Sequence, residues 1–140
     1  VKPTLRPGLV TSFQYRVPAE RTVPHLLPES PEFAVMPSVL ATGYLVAIVE
    51  WTCIRVIDEH LDEGEQTLGV HVDLSHEAPT PPGDLLTVDA ELTEVTGRQL
   101  TFAVEASDGA AVVCRGTHRR AVIDRDRFTG KLAARVNGRR

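Results

Sequence analysis

Residues 39–61 read VLATGYLVAIVEWTCIRVIDEHL, a largely apolar segment with the carboxylate of Glu50 at its middle, Asp58 and Glu59 near its end, and nothing in it that breaks a helix. Pro37-Ser38 stands in front, with Ser38 placed to cap the first turn, and Gly64 follows as a stop. At 1.5 Å per residue the helix is roughly 35 Å long, and no second helix of that length is expected. Ahead of it, Pro18, Pro24, Pro28, Pro31 and Pro37 are half of the chain's ten prolines. Each removes a backbone donor and fixes φ, so residues 18–37 are expected to form a long loop. In a small domain a loop of that length is usually functional, as a lid is.

Further outward the period changes to two. Leu9, Thr11, Phe13, Tyr15 and Val17 alternate with Val10, Ser12, Gln14 and Arg16, the pattern of a first strand. Beyond the helix, Leu68, Val70, Val72 and Leu74 alternate with Gly69, His71, Asp73 and Ser75. Pro79, Pro81, Pro82 and Gly83 force a connection. Two more alternating runs, 86–92 and 100–106, are separated by a turn at Thr96-Gly97-Arg98. Asp108-Gly109 then opens a hairpin into a last strand, about 111–124. Tight turns make the last strands an antiparallel meander. One apolar helix and one antiparallel sheet must cover each other. The expected class is α+β with the hot-dog arrangement, a curved five-stranded antiparallel sheet wrapped around one central helix. The chain reads as one domain, 1–140, with its core at about 9–124, the lid loop at 18–37 and a basic, solvated C-terminal tail at 125–140.

Composition narrows the function classes. The hydrophobic fraction of 42% is ordinary for a globular protein, and at 5% aromatic content the packing must be mostly aliphatic. A net charge of -4 argues against nucleic-acid binding, which needs a basic surface; the local basic excess is Arg125, Arg127, Lys131, Arg135, Arg139 and Arg140. Cys53 and Cys114 each sit in apolar stretches and read as buried hydrophobes rather than a disulfide. No cysteine–histidine pattern suggests zinc, and no apolar run is long enough for a bilayer. No metal, cofactor, nucleic acid or membrane is expected, and a reducing, cytoplasmic setting is.

Glu50 carries the chemistry of this reading. Its helical neighbours Val46, Ala47, Cys53 and Ile54, with Gly43 and Ile57 one turn on, are all apolar or small. Arg55, beside Thr52, Asp58 and Glu59, marks the wet face. A carboxylate in an apolar stripe needs a partner or a chemical role. His76 is the expected partner, on the even-numbered face of its strand and just before the proline-rich turn. His118 and Arg120 alternate with Val112, Cys114 and Val122; for Arg120 an interface salt bridge is an equally good account. Thr42 precedes Glu50 by eight residues, ~12 Å along the axis, so the two cannot meet within one straight helix. If both serve one reaction centre, substrate lies between them or a second subunit supplies one. A homodimer with its sites at the subunit interface is expected.

The chain also resembles the fluoroacetyl-CoA thioesterase family of hot-dog proteins. The resemblance is carried by Pro28-Glu29-Ser30-Pro31-Glu32-Phe33, Ala41-Thr42-Gly43, Glu50-Trp51, Leu68-Gly69, His76 with Ala78-Pro79-Thr80-Pro81-Pro82-Gly83, Gly116-Thr117-His118 and Arg120-Ala121-Val122-Ile123. It implies hydrolysis of a short-chain acyl-CoA thioester by a threonine, glutamate and histidine set, here Thr42, Glu50 and His76. It further implies a supporting role for Arg120, and a backbone N–H of Gly69 donating to the thioester carbonyl. Phe33 matches a phenylalanine of the lid over the acyl pocket. Met36 stands where a second aromatic ring is expected, and methionine is flexible and less shape-defining.

The implied reaction has two forms: attack of Glu50 on the carbonyl to give an acyl-enzyme anhydride, or activation of a water by Glu50. His76 is the general acid or base, Thr42 orients the carboxylate, and the Gly69 N–H meets the oxyanion. CoA enters as part of the substrate. A serine hydrolase would need a G-x-S-x-G elbow, which is absent. A different class remains, a non-catalytic acyl-CoA-binding module or sensor on the same fold, with no need of a carboxylate beside an imidazole.

Overall fold

The computed structural model describes residues 1–139; Arg140, counted above in the basic cluster, lies outside them. In chain order the main elements are β1 (Val10–Arg16), α1 (Pro31–Ala34), α2 (Thr42–Ile57), β2 (Glu65–Leu74), β3 (Leu85–Thr96), β4 (Gln99–Ser107), β5 (Val112–Asp124) and α3 (Arg125–Asn137). The five strands form one antiparallel sheet in the order β1-β3-β4-β5-β2. Leu45, Ile48, Val49, Thr52, Cys53, Val56 and Ile57 recur at helical spacing along α2 and are buried. They complete a core whose largest fully buried side chain is Phe102 of β4, together with Leu86, Leu92, Leu100 and Val113. The buried hydroxyl of Thr52 bonds back to the Ile48 carbonyl at 2.9 Å. Cys53 and Cys114 are unpaired and buried, and burial pushes their thiols up to about 12 and about 11. Among the described residues no helix is long and apolar enough to cross a membrane.

The hot-dog expectation holds, and five details differ. Helix α2 starts at Thr42 rather than behind a Ser38 cap, and it ends at Ile57; a 3₁₀ turn covers Asp58–His60. Residues 39–41 are extended because their backbone is committed elsewhere. Val39 accepts from the N–H of Val23, Leu40 donates to the Thr80 carbonyl, and Ala41 donates to the Arg21 carbonyl. The loop at 18–37 is itself organised into 3₁₀ turns at Ala19–Arg21 and Val23–His25, and into α1, capped by Ser30. Its base is fixed by a bridge from buried Thr22 to Leu40.

Only β3, β4 and β5 form a meander; β2 crosses to the far edge and pairs with β5 alone. The face expected to be buried on β2 is not; most of the strand is exposed on both faces. Thr67 turns inward, Leu68, Val70 and Val72 are exposed, and a bulge interrupts the register between Gly69 and His71. Residues 125–139 are solvated as expected, but Arg125–Asn137 is helical, with Asp124 capping α3 through the Arg127 N–H at 2.9 Å. Phe128, Leu132 and Val136 form an exposed stripe along α3.

Truncating Phe102 to alanine removes the largest side chain of the core, and the expected cost is about 3–5 kcal/mol. Urea unfolding of Phe102→Ala should show that loss as a lower midpoint. A loss below about 1 kcal/mol would mean that the core is not organised around β4.

Candidate active site

Three elements converge on the Glu50 carboxylate. Its Oε1 accepts from Arg120 Nη1 of β5 at 2.9 Å. Arg120 is 4% exposed and places its other donors with equal care. Its Nε donates to Thr67 Oγ1 and its Nη2 to the Thr67 carbonyl, both at 2.8 Å. Nη1 also meets His118 Nε2 at 3.1 Å. A guanidinium in this position carries its charge because each nitrogen has an acceptor. Glu50 Oε2, by contrast, takes no hydrogen bond among the described residues. Gly69 of β2 closes the other side. A Cβ built there would stand 2.5 Å from Glu50 Oε1, 3.2 Å from His118 Cε1 and 3.4 Å from Arg120 Nη1. No side chain larger than hydrogen fits without displacing the carboxylate.

The dry stripe expected around Glu50 is corrected by this geometry. The buried face of α2 lies one step round the helix, and the Glu50 side chain is 37% exposed at its margin. Its apolar neighbours Val46, Ala47 and Ile54 are only partly covered. Its counter-charge is Arg120, not a histidine. His76 lies elsewhere in the chain: its Nδ1 is 2.8 Å from Thr42 Oγ1 at the start of α2, and its Nε2 is buried without a hydrogen-bond partner. The expected Glu50–His76 pair therefore does not form within one protomer, because Thr42 and Glu50 sit two turns apart on a straight helix. The two halves are a Glu50–Arg120–Gly69 cluster and a Thr42–His76 pair.

In the loop, Phe33 is half-buried on α1 and Met36 is exposed one turn further. Leu26 packs against Gly43, where an added Cβ would meet Leu26 Cδ1 at 3.2 Å, so the loop lies directly on the first turn of α2.

Two contributors escaped the sequence reading as site residues. Thr67 supplies two of Arg120's acceptors. His118, fully buried, ties Arg120 to the β2 bulge, since its Nδ1 lies 2.8 Å from the His71 carbonyl. The available signal was the alternation on β5, which places His118 on the same face as Arg120.

Comparison with known proteins agrees with this architecture. A profile of the fluoroacetyl-CoA-specific thioesterase family matches residues 22–126. A fluoroacetyl-CoA thioesterase of Streptantibioticus cattleyicolor is 45% identical over 132 residues, 94% of this chain and 95% of that protein. The crystal structure of a variant fluoroacetyl-CoA-specific thioesterase in complex with fluoroacetate and CoA superposes with a TM-score of 0.86 at 46% identity, over 89% of this chain and 99% of that one. A hot-dog-like protein from Thermanaerovibrio acidaminovorans, 21% identical, shares the fold at a TM-score of 0.79 over 96% and 93% of the two chains.

The protonation of His118 follows from its partners. A carbonyl can only accept, so Nδ1 carries the proton; an arginine N–H can only donate, so Nε2 is the acceptor. His118 is the neutral Nδ1–H tautomer, and its 3.9 Å separation from Glu50 is not an ion pair. Burial pushes its pKa below the ordinary 6.5, and burial lowers His76 likewise. Groups held neutral in the fold stabilise it above the unfolded-state value, and that contribution is lost as pH falls through the folded-state value. Nitrogen-15 spectra of labelled histidine should show His118 as the Nδ1–H tautomer at pH 7, with melting temperature falling as pH drops below about 6.5. An imidazolium signal for His118 at pH 7 would contradict the network.

Proposed function

The chain belongs to the fluoroacetyl-CoA-specific thioesterase family, and on that premise we propose that it hydrolyses a short-chain acyl-CoA thioester to free acid and CoA with Glu50 as the reacting carboxylate. One observation carries the assignment of Glu50. The carboxylate is held through one oxygen, Oε1, by a buried arginine, with Gly69 pressed against that same oxygen, and the side chain as a whole stays 37% exposed. A partly exposed carboxylate whose orientation is fixed by a buried arginine suits the work of a nucleophile or base.

The acyl carbonyl sits against Gly69, whose N–H meets the developing oxyanion. In the covalent route Glu50 Oε2 forms a bond to the acyl carbon, the C–S bond breaks, and CoA leaves as its thiolate. Water then attacks the anhydride and gives up a proton, which restores the carboxylate and releases the acid. In the direct route the same carboxylate takes the proton from the attacking water. His76, kept neutral by burial and oriented by Thr42, is a base in either route. Arg120 positions Glu50 and stays charged throughout.

His76 reaches this centre from a second copy of the chain. β2 ends the sheet with one edge unpaired, and it carries exposed Leu68, Val70 and Val72. An unpaired apolar edge is a template for another strand. Antiparallel pairing of two β2 edges makes a two-fold dimer. It sets the Thr42–His76 pair of one protomer against Glu50 of the partner subunit and gives the orphaned Nε2 a partner. The lid residues Phe33 and Met36 bound the acyl pocket. Flexible Met36 makes that pocket more accommodating than a pair of rings, so acetyl and propionyl groups are accepted beside fluoroacetyl.

Glu50→Gln keeps the size and removes the charge, and kcat for acetyl-CoA should fall by ~10²-fold or more. Near-parental turnover would refute the assignment. Single turnover in ¹⁸O-water tests the covalent route: label recovered in Glu50 supports the anhydride, whereas label confined to the released acid fits direct attack or hydrolysis of the anhydride at its acyl carbon.

A further inference from the structure

His118 is a buried titratable group that carries no step of the scheme above. Its ring is fully covered and stacks on Phe102 of β4, with centroids 6.5 Å apart and planes 28° from parallel. On one side Nδ1 donates to the His71 carbonyl, beside the bulge that interrupts the register of β2 with β5. On the other, Nε2 accepts from Arg120 Nη1 at 3.1 Å. The same Nη1 donates to Glu50 Oε1 at 2.9 Å. Both hydrogens of that nitrogen are therefore committed, one to the carboxylate and one to the imidazole. Cε1 faces Gly69, where an added Cβ would stand 3.2 Å from it.

An apolar ring would fill this space against Phe102 with no need of partners, and a tie to β2 needs Nδ1 alone. The bond at Nε2 has a different consequence. A guanidinium is planar, with its hydrogens in fixed directions, so an acceptor on one hydrogen of Nη1 directs the other. That acceptor exists only in the neutral ring. An imidazolium carries N–H at both nitrogens, and Nε2–H would face an arginine N–H. Glu50 Oε1, 3.9 Å from Nε2, is the carboxylate oxygen within reach of that hydrogen. Charge on His118 thus draws Glu50 away from Arg120. The groups around the ring are Arg120 on its own strand, His71 of β2, and Glu50 and Cys53 of α2; the Cys53 thiol is pushed up to about 12 by burial and stays neutral. Burial lowers the His118 pKa most, the bond to the His71 carbonyl opposes it, and Arg120 lowers it further.

We propose that His118 is a positioning residue for hydrolysis: the neutral ring aims Arg120, and through it the Glu50 carboxylate, at the acyl carbon, and a proton on Nε2 undoes that alignment. The inference rests on the thioesterase reading above and adds a requirement to it. Two neutral histidines are needed, His76 as the base and His118 behind the arginine.

Two substitutions separate the bonds of the ring. Glutamine can place an acceptor oxygen where Nε2 stands, asparagine an N–H donor where Nδ1 stands, and neither titrates. His118→Asn keeps the tie to His71 and strands an Arg120 N–H. Its kcat for acetyl-CoA should fall about tenfold to a hundredfold, with KM nearly unchanged. His118→Gln keeps the acceptor and should stay within about threefold of the parental kcat. Both should melt earlier than the parent, since each loses one bond, so stability alone does not predict this split. Toward acid, log kcat of the unmodified protein should fall about one slope unit more steeply than that of His118→Gln, because the other groups of the site titrate in both. Equal kcat in the two variants, or equal acid slopes with and without His118, would overturn the inference. So would a kcat of the unmodified protein that is flat through the pH at which the His118 nitrogen-15 signal becomes imidazolium, a result that needs no variant to fold. Each of these outcomes, in a protein that hydrolyses acetyl-CoA, leaves the thioesterase reading standing. No turnover of acetyl-, propionyl- or fluoroacetyl-CoA by the unmodified protein would overturn both.

Discussion

The ion pair between Arg120 and Glu50 is the constraint on which the site depends. Burying a guanidinium is costly, and removing one partner of a buried pair typically costs about 3–5 kcal/mol because a charge is stranded. Arg120 avoids that penalty by joining three elements: α2 through Glu50, β2 through Thr67, and its own strand through His118. The mutual placement of helix and sheet is thereby set at the point where the chemistry is. Gly69 belongs to the same arrangement, since a methyl group there would push the carboxylate off its arginine. His118 extends it to the carbonyl at the β2 bulge.

Much of this was readable from residue types and their periods. Alternation located the five strands, the absence of breakers located the helix, and Asp108-Gly109 announced the last hairpin, where Asp108 Oδ1 indeed accepts from the Ala110 and Ala111 N–H groups. Glu50, Gly69 and Arg120 were singled out in advance, and the structure brings them together. What stayed hidden depends on partners remote in sequence. The start of α2 moves to Thr42 because Arg21, Val23 and Thr80 engage residues 39–41. Alternation could not show the bulge after Gly69 or the far-edge position of β2, so the exposure of most of that strand was missed. The Glu50–His76 pairing failed for a similar reason. Both residues are polar groups in apolar settings, but their own chain supplies them with different partners.

The division of the site has a physical consequence. Within one chain Thr42–His76 forms a hydrogen-bonded pair with an unsatisfied buried nitrogen, while Glu50, held by Arg120, stays partly exposed. In the proposed dimer the two halves would meet across a two-fold axis, each supplying what the other lacks. Such an assembly would do more than cover Leu68, Val70 and Val72. It would complete the catalytic set, so that assembly and activity share one interface.

Subunit mixing tests this most directly. Glu50→Gln and His76→Ala chains should each be inactive alone, and unfolding them together and refolding them should form mixed dimers. If each centre draws Glu50 from one protomer and His76 from its partner, a mixed dimer contains one intact centre, and random pairing restores about a quarter of the parental activity. If both residues act within one chain, every centre in the mixture carries a defect and no activity returns. That result would contradict the account.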